Sequence, residues 1–182
     1  MERGCGVAKV SGCGGAAVER RNGSGAEGTG AFIEQMATLR SVTVNELGEL
    51  SLKHEKIYPI ASRCGVFAKS DIQPLLNQGA KKEDISASIF QAVVDQTVAG
   101  LAQGRRIKGK VLFLGGPLYF LQGLRKAFKD TLHLDDAHAV FPDNAPSFMA
   151  IGAALYAQNT DAMALEDIVS RIQSAKGSDD IV

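Results

Sequence analysis

The chain has 182 residues, about one domain by length, and 45% of them are hydrophobic against 22% charged. Twenty Lys and Arg balance twenty Asp and Glu, so composition argues against a nucleic-acid or membrane-surface binder and favours a small ligand or another protein as partner. No apolar run approaches the roughly 18 residues that span a bilayer and no apolar signal core opens the chain, which predicts a cytoplasmic protein.

In chain order, the first feature is glycine. Nine of the 20 glycines lie within residues 1–30, with few large apolar side chains to offset the entropy of ordering them. Residues 1–24 are therefore expected to be disordered. From Thr29 the pattern predicts a helix, with Thr29 as its cap and Phe32, Ile33, Met36, Ala37 and Leu39 near the helical period. A short helix follows over 43–54, where Thr43 and Glu46 have capping-box spacing. "KSDIQPLLNQG", residues 69–79, reads as another short helix with Pro74 in its first turn and Gly79 as its stop.

The strongest helical pattern runs over 83–104. Ile85, Ile89, Val93, Thr97 and Leu101 step by four, Val94 and Val98 lie beside them, and Gly104 ends the run. The apolar residues 111–114 stand between glycines, as a strand buried on both faces does. A helix over about 118–129 is basic near its end at Arg125, Lys126 and Lys129, which suits the helix dipole. A weaker strand at 138–141, a core helix over 146–158 and an amphipathic tail helix on Leu165, Ile168, Val169 and Ile172 complete the chain. Helices alternating with strands, without a repeat of 20–50 residues, predict an α/β fold.

Three stretches carry possible chemistry. In "FLGGPLYF", Gly115 and Gly116 remove two Cβ atoms in front of a strand end, and Pro117 stiffens the entry to a helix. That suits close approach of a flat or anionic ligand, and it equally suits a plain strand-to-helix turn. "GTGAF" repeats the logic with Gly28, Thr29 and Gly30, against the alternative of an ordinary helix cap. "SRCGVF" puts Cys64 beside Arg63, a neighbour that favours the thiolate, while a buried structural cysteine is the other reading. Cys5, Cys13 and Cys64 show no paired metal spacing and suit reduced thiols. His54, His133 and His138 stand in unrelated contexts and read as surface or packing residues.

Taken together, "AEGTGAFIEQMA", "IASRCGVFAKSDIQPLLNQGAKKEDISASIFQAVVDQTVAGLAQG" and "VLFLGGPLYFLQGLRKAF" resemble the activator (activase) ATPases of 2-hydroxyacyl-CoA dehydratases and benzoyl-CoA reductases. The likeness covers about residues 26–157 in order and is nearest to the longer, multidomain members. It implies an α/β fold: a partial actin-like domain of the acetate and sugar kinase, heat-shock cognate and actin class, helix-rich and mainly the second lobe. Residues 1–24 would precede that lobe, residues 25–158 would form it, and residues 159–182 would be a C-terminal helix and tail. The resemblance further implies ATP or ADP with Mg²⁺, a [4Fe–4S] cluster shared across a homodimer, an acyl-CoA dehydratase-type partner and low-potential electron transfer. Carried onto this sequence, it makes Gly28, Thr29, Gly30, Glu34, Gly115, Gly116 and Pro117 cofactor-binding residues, with Gly115 and Gly116 in the adenosine turn. Cys64 would be a cluster ligand.

Two departures qualify what is inherited. The family pattern Cys-Ala-x-Gly-Thr-Gly reads Gly25-Ala26-Glu27-Gly28-Thr29-Gly30 here, so the first cluster cysteine is a glycine. The family's Asp-x-Gly phosphate motifs have no counterpart in this sequence. The reading is thus a truncated or degenerate part of an ATP-dependent activase, with a non-catalytic interaction module that has lost phosphate site and cluster as the alternative.

Overall fold

The structure is a computed structural model and describes residues 7–10, 18–21, 29–61, 65–102, 104, 106–158 and 164–174. They divide between two units, Met1–Pro146 and Ser147–Val182.

In the larger unit, β1 (Val7–Val10) and β2 (Val18–Arg21) pair antiparallel, with Val7 opposite Arg21 and Val10 opposite Val18. Regular backbone therefore occurs inside the stretch that composition reads as disordered, because valines at 7, 10 and 18 favour extended chain despite the glycines around them. α1 (Thr29–Leu39) buries Phe32, Ile33, Met36 and Ala37, the stripe expected from spacing, and begins with Thr29 as its first helical residue instead of its cap. α2 (Val44–Ser51) opens with the full capping box: the Glu46 N–H donates to Thr43 Oγ1 at 3.1 Å, and the Thr43 N–H to Glu46 Oε2 at 2.7 Å.

α3 (Gly65–Asn77) starts earlier than its sequence pattern suggests and holds Pro74 near its far end, not in its first turn. Full burial of Ala68 and Ile72 extends the helix upstream and outweighs the backbone bond that a late proline forgoes. As expected, the helix stops at Gly79, with the Ala80 N–H returning to the Leu75 carbonyl at 3.0 Å.

α4 (Lys82–Ala102) is the axis of the unit and packs against α1, α2 and a later helix. Ile85, Ile89, Val93 and Val94 are buried as predicted, but so are Asp84, Ser86, Ala87, Ser88, Phe90 and Ala92. The first half is enclosed on all sides, not along one stripe. By length and composition α4 could cross a membrane, but half of that stretch is buried within the protein, as in a core helix.

β3 (Val111–Leu112) and β4 (Ala139–Val140) pair parallel, with the Val111 N–H on the His138 carbonyl at 2.8 Å and the Phe113 N–H on that of Val140 at 2.9 Å. The expectation of a strand buried on both faces is corrected here. Phe113 and Ala139 are buried, whereas Leu112 and Leu114 are 50% and 39% exposed, because the described helices cover only one face of this pair.

The single helix expected over 118–129 is two: α5 (Gly116–Phe120) and α6 (Gln122–Leu132), broken at an extended Leu121. The break follows from packing. Leu121 is buried and its Cδ2 lies 3.2 Å from where a Cβ on Gly48 would be, while Gly123 presses the start of α6 onto α2.

In the smaller unit, α7 (Phe148–Ala157) and α8 (Leu165–Ser174) are helical as predicted. The expectation of a core helix at α7 does not hold: none of its residues is buried and Met149 is 85% exposed, because nothing within this unit covers it.

Candidate functional site

Among the described residues, the 115–117 turn is where backbone geometry departs furthest from what a side chain allows. Gly115 has φ 106° and ψ 159°, a conformation only glycine adopts without strain. It precedes α5, whose first turn contains Pro117 and closes with the Tyr119 N–H on the Gly115 carbonyl at 3.1 Å. A Cβ built on Gly115 or Gly116 would meet nothing within 4 Å. Both glycine faces are therefore open to an approaching group.

The second glycine turn meets the first. A Cβ on Gly30 would lie 3.9 Å from Pro117 Cγ, so the start of α1 stands against the start of α5. Thr29 is exposed beside it, and Glu34 is exposed about one turn farther along α1. Thr29 and Gly30 are thus brought beside the turn of Gly115, Gly116 and Pro117 from a separate stretch of the sequence. Gly25, Gly28 and Cys64 lie outside the described residues.

The way residues 55–61, upstream of Cys64, are held is described and was missed in the sequence. These residues, which form neither helix nor strand, are fastened by side chains of α3 and α4. Asp84 Oδ1 accepts the N–H groups of Glu55 at 2.8 Å and Lys56 at 3.0 Å, Ser88 Oγ that of Tyr58 at 2.8 Å, and Asp71 Oδ2 that of Ala61 at 2.7 Å. The N–H of Glu55, then that of Lys56, hold the buried Asp84 carboxyl below the ordinary aspartate range. A cleft of about 380 Å³ runs along this strap, lined by Tyr58, Asp71, Gln91 and Asp95 among others, and contains no residue of the glycine turns. The available signal was Asp84, Ser88, Gln91 and Asp95 recurring at helical spacing as a polar face on a largely apolar helix.

The histidines fit their expected roles. His54 Nδ1 is 2.6 Å from the Ser51 carbonyl, His133 adopts a left-handed conformation closing α6, and exposed His138 bonds Asp135 at 2.6 Å. Among the described residues, no group of three or more His, Cys, Asp and Glu side chains is gathered to hold a metal ion.

The profile of the BadF/BadG/BcrA/BcrD ATPase family matches residues 11–157, starting fifteen residues before the stretch of sequence likeness. The chain is 34% identical over 132 residues to the 2-hydroxyisocaproyl-CoA dehydratase activator of Clostridioides difficile, covering 72% of this chain and 48% of that protein. Its structure resembles component A of the (R)-2-hydroxyglutaryl-CoA dehydratase of Acidaminococcus fermentans, with a TM-score of 0.67 and 32% identity over 76% of this chain and 52% of that one. It also resembles the activator of the 2-hydroxyisocaproyl-CoA dehydratase from Clostridium difficile with bound ADPNP, with a TM-score of 0.63 and 26% identity over 82% and 56% of the two chains. The chain spans about half the length of the curated relatives it matches.

Proposed function

Because this chain belongs to the BadF/BadG/BcrA/BcrD ATPase family, we propose that it is the second-lobe part of an ATP-dependent activase. Its fold is that of the actin-like activator proteins it resembles. In this reading the chain is cytoplasmic and homodimeric, serves an acyl-CoA dehydratase-type enzyme, and contacts adenosine through Gly115, Gly116 and Pro117. The observation that carries the reading is that a Cβ on Gly30 would stand 3.9 Å from Pro117 Cγ, which sets the start of α1 beside the open Gly115–Gly116 turn. A flat base or ribose reaches backbone there without meeting a Cβ. A solved relative with bound ADPNP supports nucleotide as the ligand.

The residues present do not fit the cluster part of the family's chemistry. A [4Fe–4S] cluster takes four thiolates. The residue in the first cysteine position is Gly25, leaving Cys64 as the one matching cysteine per chain. No electron-transfer step is therefore assigned to this chain's residues. The test of the nucleotide reading is adenosine titration of the chain and of Gly116→Val. The valine projects into open space, so the fold persists while binding is lost; equal affinity in the two proteins contradicts the assignment.

A further inference from the structure

The turn proposed to hold adenosine leads into a short helix that meets the core through half-buried Leu118 and α1 through Pro117. α5 is five residues long, buries none of them and exposes Phe120 by 67%. One helical turn is too short to be stable by itself. A further tie comes from α6: Arg125 Nε donates to the Leu118 carbonyl and Nη2 to that of Tyr119 at 2.7 Å, so one planar guanidinium takes two successive carbonyls at the end of α5. The same guanidinium carbon lies 5.0 Å from the centre of the Phe141 ring. Phe141 stacks at 4.7 Å on Phe113, two residues before Gly115 on the strand side of the turn. Both sides of the glycine turn thus meet at Arg125.

We propose that Arg125 is a positioning residue for the nucleotide turn: it fixes the orientation of Gly115, Gly116 and Pro117 by clamping α5 to Phe141. The proposal rests on the reading of that turn as the adenosine contact. Lysine cannot replace the fork, since it offers a point charge where two carbonyls and a ring face need a plane.

The experiment pairs amide hydrogen exchange with adenosine titration on the whole chain, on Arg125→Ala and on Arg125→Lys. The amides of Tyr119 and Leu121, which bond Gly115 and Pro117 within α5, should exchange at least about tenfold faster in Arg125→Ala, the size of one lost charge-assisted hydrogen bond. Residues 89–94 of α4 should keep their protection. Adenosine affinity should fall by a similar factor, with Arg125→Lys between wild type and alanine. Unchanged exchange at Tyr119 and Leu121 overturns the clamp. So does faster exchange spread equally into α4, or faster α5 exchange with unaltered adenosine affinity. A wild-type chain that binds no adenosine, with α5 still loosened by the substitution, overturns the nucleotide reading and the role proposed for Arg125 while leaving the contact itself intact.

Discussion

The hydroxyl of Ser51 occupies the place a side chain on residue 123 would need: a Cβ on Gly123 would lie 1.8 Å from Ser51 Oγ, 3.1 Å from the Gly48 carbonyl oxygen and 3.1 Å from Phe90 Cε2. Ser51 is itself fixed, donating to the Gly48 carbonyl at 2.6 Å in a buried position. α6 therefore begins directly on the last turn of α2, and this contact sets where α5 must end. Gly123→Ala should cost about 1–3 kcal/mol by overpacking, read from urea melts. Placed in a Ser51→Ala background, the same change should cost less, because the nearest obstructing atom is gone. Strict additivity of the two substitutions would contradict the packing.

Asp84 gives the strap at residues 55–61 an acid-labile anchor. Its carboxyl is held below the ordinary range by the N–H groups of Glu55 and Lys56. A lowered folded value means the stabilisation is complete above the unfolded value near pH 4 and is lost as pH falls through the folded one. Asp84→Asn should cost about 1–3 kcal/mol at neutral pH, and the gap from wild type should close on acidification below about pH 4. Glu46 and Asp135 are lowered as well and contribute acid sensitivity of the same sign, so the difference between the two proteins, not the wild-type curve alone, reports Asp84. A gap independent of pH would contradict the assignment.

Gly25 accounts for the missing cluster ligand. After anaerobic reconstitution with iron and sulfide, the wild-type chain should take up little or no [4Fe–4S] cluster. Gly25→Cys restores the Cys-Ala-x-Gly-Thr-Gly pattern and should gain visible absorption and iron approaching four per dimer. Four irons per dimer in the wild type, or none in Gly25→Cys, would contradict this account.

How far the sequence could be read depended on how local each interaction is. The Thr43 and Glu46 capping box lies within four residues and is legible directly. The periods of α1 and α4 are legible too, since burial of Ile33 or Ile89 imprints on spacing. Depth of burial around α4 was not, because Ser86, Ala87 and Ser88 are small and carry no apolar signal. The break at Leu121 could not be foreseen, because it depends on Gly123 meeting Ser51, far away in the chain. Likewise each glycine turn could be recognised singly, but the approach of Gly30 to Pro117 exists only in three dimensions.

The central claim, an adenosine-binding lobe without its own phosphate motifs, is tested most directly by calorimetric titration of adenosine, ADP and ATP on one preparation. Adenosine and ADP should bind weakly and ATP should gain little over ADP, because in the proposed reading Gly115 and Gly116 offer backbone to the nucleoside while the sequence has no Asp-x-Gly motif to receive the phosphates. ATP binding a hundredfold or so tighter than adenosine, about 2.7 kcal/mol, would require a phosphate site elsewhere in the chain and would contradict the account.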